Sequence, residues 1–91
     1  MKLTFFYLPL CPYCKQARRV MAELMAEHPE YKAVELDEVN EITNPGIVKN
    51  YDYYHVPCFF NGEQKLYEAD PNDPEDVVKS KLDAMFRALV A

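Results

Sequence analysis

From Lys2 to Leu8 the chain reads Lys-Leu-Thr-Phe-Phe-Tyr-Leu, apolar on both of the faces that a strand presents. Side chains of a strand alternate between faces, so such a segment is satisfied only inside a sheet covered on both sides. That requirement selects a layered α/β arrangement, with helices packed on both faces of a sheet. With 91 residues there is material for one domain, spanning 1–91.

The remaining segments supply the other elements. Pro12 suits the first turn of a helix, where its missing N–H costs nothing. Ala17, Val20, Met21, Leu24 and Met25 then recur at helical spacing, and Pro29 ends the helix near His28. Tyr31 to Val39 alternates, with Val34 and Leu36 on one side and Glu35 and Asp37 on the other, as in a strand. Asn44-Pro45 starts a short helix with Ile47, Val48 and Tyr51 on its apolar stripe. Val56 to Phe60 reads as a third strand with Pro57 at its beginning, where a lost donor is tolerated. Asn61-Gly62 reads as a two-residue hairpin turn, and Lys65 to Glu68 as the returning strand. Asp73-Pro74-Glu75-Asp76 opens the last helix with Asp73 as its cap, and Val78, Leu82, Met85, Phe86 and Leu89 form its buried face. The predicted order is β-α-β-α-β-β-α around a four-stranded mixed sheet, with the first βαβ unit parallel and the last two strands an antiparallel hairpin.

Composition excludes several classes of function. Apolar residues make up 49% and aromatics 13%, too much for a disordered chain. A net charge of −5 argues against nucleic acid as the main partner, since phosphate binding needs a basic face. No apolar run approaches the ~20 residues of a membrane-spanning helix. Met1-Lys2 before an apolar run is a poor export signal, since no small residue precedes Cys11 and Pro9 sits where one is wanted. Three cysteines, an odd number, do not make a secreted disulfide scaffold. The expectation is a cytoplasmic protein with one reactive pair and one extra thiol. Without a heptad or an unexplained apolar helix face, it is expected to be monomeric.

The chemistry lies in Cys11-Pro12-Tyr13-Cys14, where a buried strand becomes a helix. Cys11 takes the cap position, its sulfur facing unpaired backbone N–H groups at the positive end of the helix dipole, an environment that favours thiolate. Cys14 follows one turn on, near enough to close a disulfide, and Lys15, Arg18 and Arg19 add positive charge to the same helix. A competing reading makes the pair half of a zinc site, with His28, His55 and Cys58 as further ligands. His28, however, falls about 20 Å away at ~1.5 Å per residue, and His55 with Cys58 has no usual paired spacing. His55 is a candidate for stabilising the Cys11 thiolate or moving its proton, or else an ordinary loop residue. Cys58 is either a third redox thiol or a small buried residue of the sheet. Tyr51, Tyr53 and Tyr54 line a groove or serve as packing. The five acids Glu68, Asp70, Asp73, Glu75 and Asp76 form a solvated helix start or a partner-steering patch.

Over nearly all of its length the chain resembles a glutaredoxin, the small branch of the thioredoxin fold. Cys11-Pro12-Tyr13-Cys14 is the dithiol motif of that family residue for residue, and Val56-Pro57 resembles its Val-Pro. The resemblance implies a thioredoxin-like α/β fold in which Cys11 is the nucleophile and Cys14 the resolving cysteine. It also implies a cis bond before Pro57, Val56 backbone offered to an extended substrate, and Tyr13 beside it. The family's glutathione contacts are degenerate here. The lead-in Tyr7-Leu8-Pro9-Leu10 lacks a lysine, Thr-Val-Pro becomes His55-Val56-Pro57, and Tyr67-Glu68-Ala69-Asp70-Pro71 replaces Gly-Gly and its acid, leaving Asp70 to hold an amino group.

The implied activity is thiol–disulfide exchange on a protein disulfide or a glutathione mixed disulfide. No bound cofactor is expected; glutathione or a thioredoxin-reductase-like flavoenzyme would restore the dithiol. The alternatives are an iron–sulfur cluster carrier, which Pro12 and Tyr13 disfavour, and a non-catalytic binding module, which two retained cysteines disfavour.

Overall fold

The computed structural model describes all 91 residues. The elements run β1 (Lys2–Tyr7), α1 (Pro12–Glu27), a 3-10 turn (Pro29–Ala33), β2 (Glu35–Asn40), α2 (Pro45–Val48), β3 (Cys58–Asn61), β4 (Gln64–Glu68) and α3 (Glu75–Val90). The sheet order is β2-β1-β3-β4, with β1 parallel to β2 and the other two pairings antiparallel. The expected architecture and element order are therefore found, with the 3-10 turn added.

β1 lies inside the sheet with both faces covered, as its sequence requires. Leu3 and Phe5 join Phe59 and Tyr67 against α1 and α3, which contribute Ala17, Val20, Met21 and Leu24 and Val78, Leu82, Met85 and Phe86. Phe6 faces the other way with Val39, Cys58 and Phe60, under Val48, Tyr51, Tyr53 and Val56. The second face is thus covered by a single helical turn and an aromatic loop. Phe6 packs against Tyr51 and Tyr53 at 4.8 Å between ring centroids, and these rings do the work of a longer helix.

Four local expectations are corrected. Tyr31 to Ala33 is a tight turn, and the strand begins only at Glu35. Tyr31 is drawn inward, stacked on His28 and Phe86 with its hydroxyl donating to the Asp83 carboxylate, and this packing overrides the alternating pattern. Asn44 takes the cap position of α2 with Pro45 after it, as expected, but its side chain makes no capping bond; its amide donates back to the Asn40 carbonyl, and the helix lasts one turn. The hairpin turns on Gly62-Glu63, because Asn61 still pairs with Gln64. Gly62 has φ +61 and no other residue but glycine has positive φ, the pattern of a turn with glycine first. Finally, Pro74 takes the cap position of α3, and Asp73 turns away to Lys81, 2.5 Å distant.

β4 carries one extra residue. Phe59 pairs with Tyr67 but Phe60 pairs with Lys65, so Leu66 is a bulge. Leu66 and Tyr67 consequently share the α1/α3 face although they are neighbours in sequence. Lys65 and Glu68, three apart, come to share the opposite face.

The core predicts a contrast in stability. Leu82→Ala, at a fully buried position between α3 and the sheet, is expected to lose about 2–5 kcal/mol in urea unfolding. Ile47→Ala, on exposed α2, is expected to change stability by less than about 0.5 kcal/mol. Equal losses would show that the α2 side is as tightly packed as the main core.

Candidate active site

The site forms where β1 ends and β3 begins. The antiparallel register sets Phe6 opposite Cys58, so the loop leaving β1 and the loop entering β3 lie side by side. The first carries Cys11 to the cap position of α1, with Pro12 in the first turn. The second carries Val56-Pro57, whose peptide bond is cis. The Cys11 thiol points at the Val56 carbonyl, with 3.9 Å from Sγ to O.

Three cysteines share the chain but not one environment. Cys11 is partly exposed, whereas Cys14 and Cys58 are buried. Burial is the main cause that pushes the Cys14 thiol up to about 12; the Leu8 backbone opposes it, the neighbouring Cys11 thiol adds to it, and Arg18 opposes it more weakly. Burial likewise pushes Cys58 up to about 12, assisted by the Glu68 carboxylate. Both therefore remain thiols at neutral pH. Cys58 lies in the sheet beneath Phe6 and Phe60, the structural alternative for that residue.

The other expected residues separate into groups. Tyr13 is 43% exposed and Leu10 84%, both next to Cys11, while Tyr54 is 88% exposed just before Val56. Tyr51 and Tyr53 are packing residues, so the tyrosine cluster divides. Lys15 is exposed and forms no ion pair. Arg18 lies over the Phe5 and Tyr7 rings and is paired with Glu38 at 2.6 Å, and Arg19 is paired with Glu75 at the same distance. These partners blunt the positive field that the sequence assigned to Arg18 and Arg19. His55 is exposed, and its backbone N–H, not its imidazole, is engaged. Asp70 accepts the Asn72 N–H in a local turn. His28 sits at the far end of α1, stacked on Tyr31, so the five candidate zinc ligands are not brought together.

One contact beside the Val56 segment escaped the sequence. The Glu68 carboxylate accepts hydrogen bonds from the Tyr54 and His55 N–H groups, each at 3.0 Å, and from Lys65 Nζ at 2.7 Å. It ties β4 to the loop that carries Val56. The Ala69 N–H adds a bond to the Pro57 carbonyl at 3.0 Å. A spacing of three within a strand normally puts two residues on opposite faces, so only the Leu66 bulge makes this contact possible.

The glutaredoxin family model matches residues 3–65. The chain belongs to the glutaredoxin family. It is accordingly a thiol–disulfide oxidoreductase of the glutaredoxin/thioredoxin kind. A thioredoxin of Methanocaldococcus jannaschii is 31% identical over 83 residues, covering 89% of this chain and 95% of that protein. Glutaredoxin-3 of Mus musculus is 34% identical over 76 residues, covering 81% of this chain and 22% of that longer protein. Among solved structures, thioredoxin 1 from Thermosipho africanus aligns at a TM-score of 0.60 and 15% identity over the whole of both chains. A malarial protein aligns at 0.61 and 16%, over 96% of this chain and 93% of that one. At these identities the structural likeness establishes the thioredoxin-like fold.

The burial pattern makes a labelling prediction. Iodoacetamide at pH 7.5 is expected to add one carbamidomethyl group to the reduced native protein, on Cys11, and three after denaturation. Peptide mass mapping reads the outcome. Rapid native labelling of Cys14 or Cys58 would contradict the assigned environments.

Proposed function

We propose that the protein reduces protein or low-molecular-weight disulfides through a Cys11/Cys14 dithiol. The observation that carries this reading is the partly exposed Cys11 at a helix cap, with a buried thiol one turn on and the Val56 carbonyl opposite its sulfur. The Cys11 thiolate attacks one sulfur of the substrate disulfide. A mixed disulfide forms, and the other substrate sulfur leaves as a thiolate that takes a proton. Cys14 then gives up its proton and attacks Cys11 Sγ, which releases the second substrate thiol. The balance is one substrate disulfide and two protein thiols converted to two substrate thiols and a Cys11–Cys14 disulfide.

The elevated Cys14 pKa keeps the second thiol protonated until the mixed disulfide exists, so the two cysteines act in sequence. Val56 pairs with no other backbone group of the fold, and its C=O, which the Cys11 thiol faces in the reduced protein, is released once Cys11 bonds a substrate sulfur, so N–H and C=O can both pair strand-like with an extended substrate. On this reading the exposed Tyr13 ring and Pro57, cis-bonded to Val56, complete the substrate-binding residues. Lys15 adds an unpaired positive charge, and Arg18 a paired one, near the thiolate. A reducing, cytoplasmic setting suits this chemistry. Regeneration takes two electrons from glutathione or from a thioredoxin-reductase-like flavoenzyme.

Substitution of each cysteine tests the sequence of steps. Cys11→Ser is expected to drop disulfide reduction to the uncatalysed background. Cys14→Ser is expected to accumulate a mixed disulfide on Cys11, visible by intact mass. Turnover that survives Cys11→Ser would overturn the dithiol reading. Visible absorbance after anaerobic reconstitution with iron and sulfide would replace it with a cluster-carrier reading.

A further inference from the structure

The Glu68 contact does more than the thiol chemistry asks of it. Two consecutive N–H groups, of Tyr54 and His55, converge on Glu68 Oε2 at 3.0 Å each. Converging backbone amides of this kind make an anion site, and here the protein's own carboxylate occupies it. The other oxygen takes Lys65 Nζ at 2.7 Å, and the Glu68 side chain is only 17% exposed. Lys65 also donates to the Asp52 carbonyl at 3.4 Å. Burial would raise the Glu68 carboxyl, but the hydrogen bonds from Lys65, Tyr54 and His55 outweigh it and hold it below the ordinary carboxylate value. The residue after His55 is Val56, whose carbonyl faces Cys11.

Resting on the oxidoreductase reading, we propose that Glu68 is a specificity-determining residue that turns the site away from disulfides with carboxylates beside their sulfurs and toward neutral or cationic ones. Two effects act in the same direction. The amide pair that precedes Val56 on its loop, a receptor for a substrate carboxylate, is already filled. The Lys65 ammonium, which reaches that loop from β4 at the Asp52 carbonyl, is neutralised by the same carboxylate. Without Glu68, two N–H donors and one positive charge would stand open beside the substrate backbone. With it, the loop offers an anion no vacant donor pair, and specificity comes from what is withheld as much as from what is offered.

The test measures second-order rate constants of the reduced protein with three disulfides: glutathione disulfide (anionic), hydroxyethyl disulfide (neutral) and cystamine (cationic). Wild type, Glu68→Gln, Glu68→Ala and Lys65→Met are compared in low and high salt, with thermal unfolding as the control for folding. Glu68→Gln keeps the side-chain shape without its charge. The ratio of the glutathione disulfide rate to the hydroxyethyl disulfide rate is expected to rise about fivefold in both Glu68 variants and to shrink with salt. The cystamine ratio is expected to fall. Lys65→Met, which leaves the carboxylate uncompensated, is expected to shift both ratios the opposite way. A merely structural Glu68 would slow all three disulfides alike, and that result, or unchanged ratios, overturns the proposal. Failure of the wild type to reduce hydroxyethyl disulfide would instead overturn the oxidoreductase reading, so the two failures are distinguishable.

Discussion

The antiparallel ladder between β1 and β3 is the interaction on which the rest depends. It sets Thr4, Phe5 and Phe6 against Phe60, Phe59 and Cys58. Because the strands run in opposite directions, the exit of one lies beside the approach to the other. The Cys11 loop and the cis Val56-Pro57 loop are neighbours for that reason alone. The same ladder stacks Phe5 on Phe59 with centroids 4.7 Å apart and ties the main core to the redox end of α1. Moving either strand by one residue would turn Phe5 and Phe6 to the wrong layers and separate the two loops at once.

Around this ladder, apolar packing holds the frame and the surface charges orient it. α1 and α3 lie on the same face of the sheet and close over Phe5 and Phe59. Arg19 and Gln16 of α1 both reach Glu75 at the start of α3, and Lys79 of α3 reaches back to Glu27 at 2.9 Å. Exposed pairs of this type contribute little singly. Together they join the first turns of α3 to α1 beside the apolar contact that holds both helices on the sheet.

Much of this was legible in the sequence for definite reasons. A segment apolar on both faces has one place in a sheet, and a cysteine pair after it, opening a helix with Pro12, has one position in the chain order. Those features are local, and local features can be read. What escaped reading depended on contacts between distant segments. Tyr31 leaves the strand pattern because Phe86 and Asp83, more than fifty residues on, draw it inward. Asp73 loses its cap role to Lys81. The placement of the turn at Gly62-Glu63 followed from pairing with β3, since Asn61-Gly62 was an equally good local signal. Glu68 was legible as bulk in place of glycine, but its partners were not, because its direction is set by an irregularity with no residue signature of its own.

That irregularity has a consequence at the rim of the sheet. β4 is an edge strand, and an edge with an even row of unpaired N–H and C=O groups invites another chain to add itself there. The extra residue at Leu66 breaks the evenness of the row, and Lys65 and Glu68 frame the break with charge. A second copy sliding along this edge would meet its groups out of step. The single-residue insertion that aims an acid at the loop beside Cys11 thereby also serves as a guard against edge-to-edge association.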